Sequence, residues 1–164
     1  NVDESLGHNH YNCPVVAYYP KVIAANVKAL AKPNFTGEFI GIHDRKEFAP
    51  HFGKILAAHG YVFSAAQLKA AAKAAYTAYD EHMAAVRKKG DEYLDLAKKE
   101  GLPVIILAGR PYHVDPEINH GIDRLICELG AVVITEDSVS DKQKRFPTTV
   151  LNQWTYHSRL YASA

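Results

Sequence analysis

The sequence predicts a three-layer α/β sandwich around a small, mainly parallel sheet. Two apolar runs, 102–108 and 131–135, have the length and continuous branched composition of strands that are buried on both faces. A polar loop and a stretch of helical pattern, 115–129, lie between them. Strand, helix and strand in this order form a right-handed βαβ crossover, which implies a parallel sheet. We therefore expect a βαβ unit over 102–135.

An alanine-rich stretch, 64–100, predicts one very long helix. Ser64 and Gln67 have the spacing of a capping box at its start, and small residues fall on one face opposite lysines and glutamates. The helix would be about 55 Å long if unbroken, and Gly90 is the position at which a break is expected. A packed surface helix is the simpler interpretation, and a helix that spans an interface is the alternative.

The first third of the chain predicts an arm followed by alternating strands and helices. Residues 1–12 are polar and aperiodic, which indicates an N-terminal arm. The runs 14–19 and 38–43 are rich in residues that favour strands. Pro20 is placed to begin a helix, and 47–59 has the apolar spacing of a second helix.

Composition and charge define the class of protein. The 164 residues, 48% of them hydrophobic, suffice for a single domain, 1–164, with its own core. The balance of 19 basic against 18 acidic residues excludes a strong field for nucleic acid or an anionic membrane. Because there is no membrane-length apolar run and no signal-peptide pattern, we expect a soluble cytoplasmic protein. The start at Asn1 and the helical pattern running to the last residue, 148–164, predict a fragment of a larger polypeptide.

The segment 109–121 carries the greatest density of chemically useful side chains. It follows a predicted strand at its carboxyl end, where open parallel sheets bind ligands. Asp115, Pro116 and Glu117 are explained as a helix start. The candidate ligand-binding residues are those that a plain connection does not need: Gly109, Arg110, Tyr112, His113, Asn119 and His120.

An anion is the ligand class that this segment favours. The planar fork of Arg110 suits phosphate or carboxylate, and a helix start adds partial positive charge. The alternative is structural, with Asn119 and His120 lying one turn inside the helix and bonding to neighbouring backbone. The chain has neither GxGxxG nor GxxxxGK[ST], which argues against a self-sufficient nucleotide site.

The two cysteines have different expected roles. Cys127 lies among apolar residues of a predicted helix, which indicates a buried small hydrophobe. Cys13 lies near His8 and His10, but a zinc site there would lack a fourth ligand. Two cysteines also cannot hold an iron–sulfur cubane, so any further ligands would lie outside this chain.

Two further interpretations are weaker. A hydrolase would recruit His113 or His120 with an aspartate and a serine, but the GxSxG elbow does not occur. Glu136 and Asp137 follow a predicted strand and would face the cleft beside Arg110 if they were functional. The expected arrangement of Glu136 and Asp137 is a solvated loop.

Three segments, GRPYHVDPEINHGIDRLICELGAVVITEDSVS, NCPVVAYYPKVI and LNQWTYHSRLYASA, together resemble a domain of the large CoA-substrate-specific enzyme activase-related proteins. That group is similar to 2-hydroxyacyl-CoA dehydratases, benzoyl-CoA reductases and their ATP-dependent activators. The resemblance implies flavodoxin-like modules, a [4Fe-4S] cluster in the parent protein and ATP in another of its domains. It implies Cys13 as the one possible metal ligand here.

The function that follows is a non-autonomous domain of such an iron–sulfur activase or dehydratase-like protein. Its partners would be other domains of the same polypeptide and a CoA thioester. The alternative is an anion- or CoA-binding scaffolding module without redox chemistry.

Overall fold

The computed structural model describes residues 14–30, 35–144 and 159–161, which fall into two compact units. The first unit holds the described residues up to Tyr79, and the second holds those from Asp80 onward. The described part is mostly helical with one two-stranded parallel sheet, which agrees with an α/β class. Two strands do not define a three-layer flavodoxin-like sandwich, so that finer architecture stays a prediction.

The first unit begins with helix α1, Pro14–Asn26. The strand predicted over 14–19 and the helix start predicted at Pro20 are both wrong. Pro14 is the first described residue of this helix, which continues through Pro20 to Asn26. The strand predicted over 38–43 is also wrong, because this stretch pairs with no described strand. Strand preference expresses packing in a sheet, and without a neighbouring strand it has no effect.

Helix α2, Arg45–Ala58, confirms the second predicted helix, with a start two residues earlier. Asp44 caps it by accepting the backbone N–H groups of Lys46 and Glu47 at 2.9 and 3.2 Å. These two bonds lower the pKa of the Asp44 carboxyl, because they stabilise its charged form.

Helix α3, Ala65–Glu100, confirms the long helix and runs without a break through Gly90. The capping box is formed: the Gln67 backbone N–H donates to Ser64 Oγ at 3.2 Å, and the Ser64 N–H donates to Gln67 Oε1 at 2.9 Å. In the first unit, Tyr76 on α3 donates its hydroxyl hydrogen to the carbonyl of Ile42 at 2.8 Å. The Phe48 ring meets Tyr76 edge to face at 5.7 Å between centroids.

The second unit contains the predicted βαβ crossover. Strands β1, Val104–Leu107, and β2, Val132–Thr135, are parallel, with Val104 opposite Val132. The connection is a 3-10 turn at Pro111–Val114, helix α4 at Pro116–Asn119 and helix α5 at Ile122–Glu128.

The single helix predicted over 115–129 is therefore wrong. His120, with φ of 53°, and Gly121, with φ of 76°, both adopt the left-handed conformation and separate α4 from α5. Two successive left-handed residues cannot continue a right-handed helix. The glycine accepts this backbone easily because it has no Cβ.

The core of the second unit lies between α3 and β2. Ala97 of α3 packs with Val132, Ile134 and Val139, and Leu94 covers their edge. Strand β2 alternates between buried and half-buried positions, so α3 covers one of its faces.

Strand β1 is more open than the sequence predicted. Val104, Ile105 and Ile106 are 37–41% exposed, so burial on both faces is wrong for this strand within the described chain. Cys127 is exposed on α5, and the buried position predicted for it is also wrong. Helix α5 is likewise open to solvent, since Leu129, just beyond the end of α5, is 78% exposed. The cause is common to both elements: α3 packs on β2, and the described residues provide no equivalent layer over β1 and α5.

None of the helices in the described ranges is long and apolar enough to cross a membrane.

Candidate functional site

The loop after β1 folds His113 back against the start of the loop. The backbone N–H of Arg110 donates to His113 Nδ1 at 3.0 Å. A Cβ on Gly109 would lie 2.4 Å from the same nitrogen, so only glycine permits this close approach. Because Nδ1 accepts a hydrogen bond, the neutral imidazole carries its proton on Nε2 and presents that N–H as a donor.

Tyr112 supports the histidine from the side. Its ring meets the His113 ring edge to face, with 4.5 Å between centroids and 72° between planes. Tyr112 is itself about half exposed. Gly109, Arg110, Tyr112 and His113 thus lie in one turn after β1, and their binding of a ligand stays a prediction.

Asn119 takes the structural alternative and bonds to neighbouring backbone, whereas His120 does not lie inside a helix. Asn119 Oδ1 accepts the N–H of Gly121 at 2.8 Å, which commits this side chain to its own turn. His120 is exposed and ends α4, so a position one turn inside a longer helix is wrong for it. Asp115 caps α4 as expected, accepting from Glu117 and Ile118 N–H at 2.9 and 3.3 Å.

The carboxyl end of β2 holds a buried ion pair. Glu136 is 5% exposed, and Arg159 Nε donates to its two carboxylate oxygens at 2.9 and 2.6 Å, while Arg159 Nη2 also contacts Oε1. The solvated loop expected at this position is therefore wrong for Glu136. The partners are 23 positions apart in the sequence, and no local pattern marks the pair.

Burial raises the pKa of Glu136 above the ordinary glutamate value, because an apolar surrounding disfavours the charged carboxylate. The guanidinium of Arg159 acts in the opposite direction, and the nearby charge of Asp137 adds to the increase. Asp137 accepts a hydrogen bond from Thr135 Oγ1. Ser138, 4% exposed, donates its hydroxyl hydrogen to the Thr135 carbonyl at 2.6 Å.

A cavity of about 360 Å³ lies beside this turn, within the second unit. One wall is a face of α3 and the other is β2 with the turn that follows it. The lining residues are His82, Ala85, Val86, Lys89, Gly90, Tyr93, Val133, Ile134, Thr135 and Ser138. Sequence reasoning missed this cavity. Its only signal is the helical spacing of 82, 86, 89 and 93, which places these positions on one face of α3.

The described residues do not contain a group of three or more His, Cys, Asp and Glu that could hold a metal ion. Cys13, the metal ligand implied by the resemblance, lies outside the described residues. Cys127 is exposed and free on α5.

The described residues are mostly helical and contain a parallel βαβ unit, which is compatible with the α/β class. Residues 1–139 match the family described as CoA enzyme activase uncharacterised domain, and the chain belongs to that family. This confirms the resemblance that the sequence segments indicated. Neither the curated proteins nor the solved structures include a match to the chain.

Proposed function

We propose that the chain is a non-autonomous domain of an ATP-dependent, iron–sulfur protein related to 2-hydroxyacyl-CoA dehydratases, benzoyl-CoA reductases and their activases. Membership of the CoA enzyme activase family over residues 1–139 supports this assignment. The proposed partners are other domains of the same polypeptide, and the proposed location is the cytoplasm. A CoA thioester is the proposed ligand of the assembled protein.

The open apolar surface of the second unit is the observation that carries the proposal. Val104, Ile105 and Ile106 are 37–41% exposed along β1, and Leu125 and Leu129 are 53% and 78% exposed around α5. Parallel sheets in proteins have both faces covered, because crossover helices lie on them. In the proposed parent protein, another domain covers β1 and α5, which would complete a flavodoxin-like three-layer architecture.

The open edge of β1 points to the same conclusion. Val132 N–H donates to the carbonyl of Pro103 at 2.9 Å. Along a strand, the backbone N–H and C=O groups of successive residues point alternately toward and away from the neighbouring strand. Ile105 therefore directs its N–H toward β2, whereas Ile106 directs its N–H away from β2. No described strand pairs with that outer edge, and an unpaired edge is a template for another strand.

The residues of this chain do not fit the iron–sulfur cluster by themselves. A [4Fe-4S] cluster takes four cysteine thiolates, and the sequence has two cysteines. The sequence also has no GxxxxGK[ST] phosphate loop. In the proposal, cluster ligands and the ATP site belong to other domains, with Cys13 as the one possible contribution from this chain.

The alternative function is an anion- or CoA-binding scaffold without redox chemistry. The turn that holds Gly109, Arg110, Tyr112 and His113 after β1 favours it, since the loop backbone holds His113 by Nδ1 and leaves Nε2 for a ligand. Titration of the isolated chain with CoA tests this alternative. Binding that is lost in His113→Ala and retained in His82→Ala would favour the scaffold.

Hydrogen exchange tests the non-autonomous domain directly. Amide exchange is measured for the isolated chain and for the longest natural polypeptide that contains it. We expect the Ile106 N–H to exchange rapidly in the isolated chain and to become protected in the longer protein. The Ile105 N–H, which faces β2, is the internal control and is protected in both. Equal exchange of Ile106 in both proteins would contradict the proposal.

Anaerobic iron–sulfur reconstitution tests whether the ligands of the cluster belong to other domains. The isolated chain is expected to show no stoichiometric cluster absorbance. A four-iron cluster held by the isolated chain would overturn the assignment of ligands to other domains.

A further inference from the structure

We propose that the cavity between α3 and β2 binds a small aliphatic monocarboxylate. This site is separate from the loop 109–121 and does not depend on the function proposed above. It rests on the size of the cavity, its apolar walls and the Lys89 ammonium group at its rim.

The cavity has the size of a small-ligand site. Its volume of about 360 Å³ lies at the lower end of the range for ligand pockets. At about 30 Å³ for each water-sized group, it holds roughly twelve non-hydrogen atoms of a ligand. A short fatty acid falls within this volume, whereas a nucleotide or a whole CoA molecule would extend beyond it.

The walls of the cavity are apolar on both sides. Ala85 and Val86 come from α3, and Val133 and Ile134 come from β2. Gly90 forms part of the helix wall without adding a side chain. Burying hydrocarbon against such walls is favourable, at about 0.8 kcal/mol for each methylene group removed from water. The walls therefore favour an aliphatic chain.

The ionisable side chains of the lining favour an anionic head group. His82 and Lys89 line the cavity, and no Asp or Glu is among the described residues that line it. Lys89 Nζ bonds to Glu92 Oε2 at 2.6 Å. An ammonium group has three donors, so this contact leaves donors for a second carboxylate. The Lys89 side chain is 69% exposed, which places its head group at the rim, within reach of water.

The position of the cavity in the fold agrees with ligand binding. Thr135 ends β2 and Ser138 lies in the turn that follows, so the cavity adjoins the carboxyl end of a parallel strand. Ligands of α/β proteins bind preferentially at that end. The hydroxyl group of Tyr93 supplies hydrogen-bonding capacity in a lining that is otherwise largely apolar.

The test is an NMR titration of the 164-residue chain with three molecules of the same length: hexanoate, hexan-1-ol and hexylamine. Hexanoate is expected to shift the methyl signals of Val86, Val133 and Ile134. Its dissociation constant is expected to be about fivefold lower than that of hexan-1-ol, because one partly solvated charge contact distinguishes the two. Hexylamine is expected to bind more weakly than either.

Two variants and a control locate the site. Lys89→Met is expected to remove the preference for hexanoate over hexan-1-ol while retaining binding of the alcohol. Ala85→Phe, which fills the cavity from its rim, is expected to abolish binding of both. Lys73 lies on α3 outside the cavity lining, so the Lys73→Met variant is expected to bind hexanoate and hexan-1-ol as the unchanged chain does.

Four results would overturn the proposal. They are no methyl shift with hexanoate, equal affinity for acid and alcohol, a preference that survives Lys89→Met, and binding that survives Ala85→Phe in a folded variant. Far-UV circular dichroism checks the fold of each variant. If Ala85→Phe does not fold, Val133→Phe provides the second cavity-filling variant.

Discussion

Gly90 and Ser138 approach so closely that no side chain fits at Gly90. A Cβ at this position would lie 2.8 Å from both the Cβ and the carbonyl oxygen of Ser138. The turn after β2 therefore packs directly on the backbone of α3. Two ion pairs flank this contact: Arg87 with Asp141 at 3.3 Å, and Lys142 with Asp91. A glycine inside a long helix here serves close packing, where the sequence alone indicated a break.

The first prediction concerns this contact. Gly90→Ala gains about 1 kcal/mol of helix propensity but forces the new methyl group into the Ser138 backbone, which has little freedom to move. We expect the free energy of unfolding to fall by about 1–2 kcal/mol. Urea denaturation measures the change. An increase in stability would show that the turn moves away without penalty.

Gly53→Ala is the matched control for Gly90→Ala. Gly53 lies inside α2, and its new methyl group would meet Leu68 Cδ1 at 2.5 Å. That atom is the tip of a flexible side chain, which can adopt another rotamer. We therefore expect a change smaller than that of Gly90→Ala, because the gain in helix propensity opposes a minor rearrangement.

The second prediction concerns the buried pair of Glu136 and Arg159. Arg159→Met leaves the Glu136 carboxylate buried without its main partner, so stability at neutral pH is expected to fall by about 3 kcal/mol. Glu136→Gln is the control, because it keeps the shape of the side chain and removes its titration. Denaturation of both variants against the unchanged chain provides the comparison.

The same pair also predicts how the stability of the folded chain changes with pH. The pKa of Glu136 is raised mainly by burial, so the folded state holds this proton more tightly than the unfolded state. The contribution of Glu136 to stability is complete below its pKa in the unfolded chain. It is lost as the pH rises through its pKa in the folded chain. Arg159→Met raises the folded pKa further, so we expect a larger loss that extends to higher pH. An unchanged pH profile in this variant would contradict the assignment.

The third prediction concerns the cap of α4. Asp115→Ala removes the acceptor for the Glu117 and Ile118 N–H groups, and we expect a loss of about 1 kcal/mol. Asp123→Ala provides the comparison, because Asp123 lies in the first turn of α5 but does not cap it. Equal losses in the two variants would indicate a general charge effect.

The fourth prediction concerns the thiol of Cys127. In a Cys13→Ser background, Cys127 is expected to react with a thiol reagent without denaturant, because its side chain is exposed on α5. The double variant with Cys127→Ser provides the blank. In the longer polypeptide the reaction is expected to slow if a neighbouring domain covers α5. A thiol that reacts only after denaturation of the isolated chain would contradict the open surface.

Local patterns determined much of the secondary structure. The capping box at Ser64, the alanine-rich run after it and the two apolar runs of the βαβ unit each depend on neighbouring residues, and the structure confirms all three. The strands predicted over 14–19 and 38–43 failed because a strand needs a partner that the local sequence cannot specify. The helix predicted over 115–129 failed at His120, where the backbone turns left-handed in a residue type that permits both conformations.

The sequence by itself determined the family and the order of strand, helix and strand in the second unit, because these follow from patterns along the chain. Only the tertiary structure decided which faces are covered. It joined Glu136 to Arg159, aligned one face of α3 with β2 to form the cavity, and left β1 and α5 open. The physical reason is that burial depends on which distant segments pack together. An apolar run has the same sequence whether or not another layer covers it.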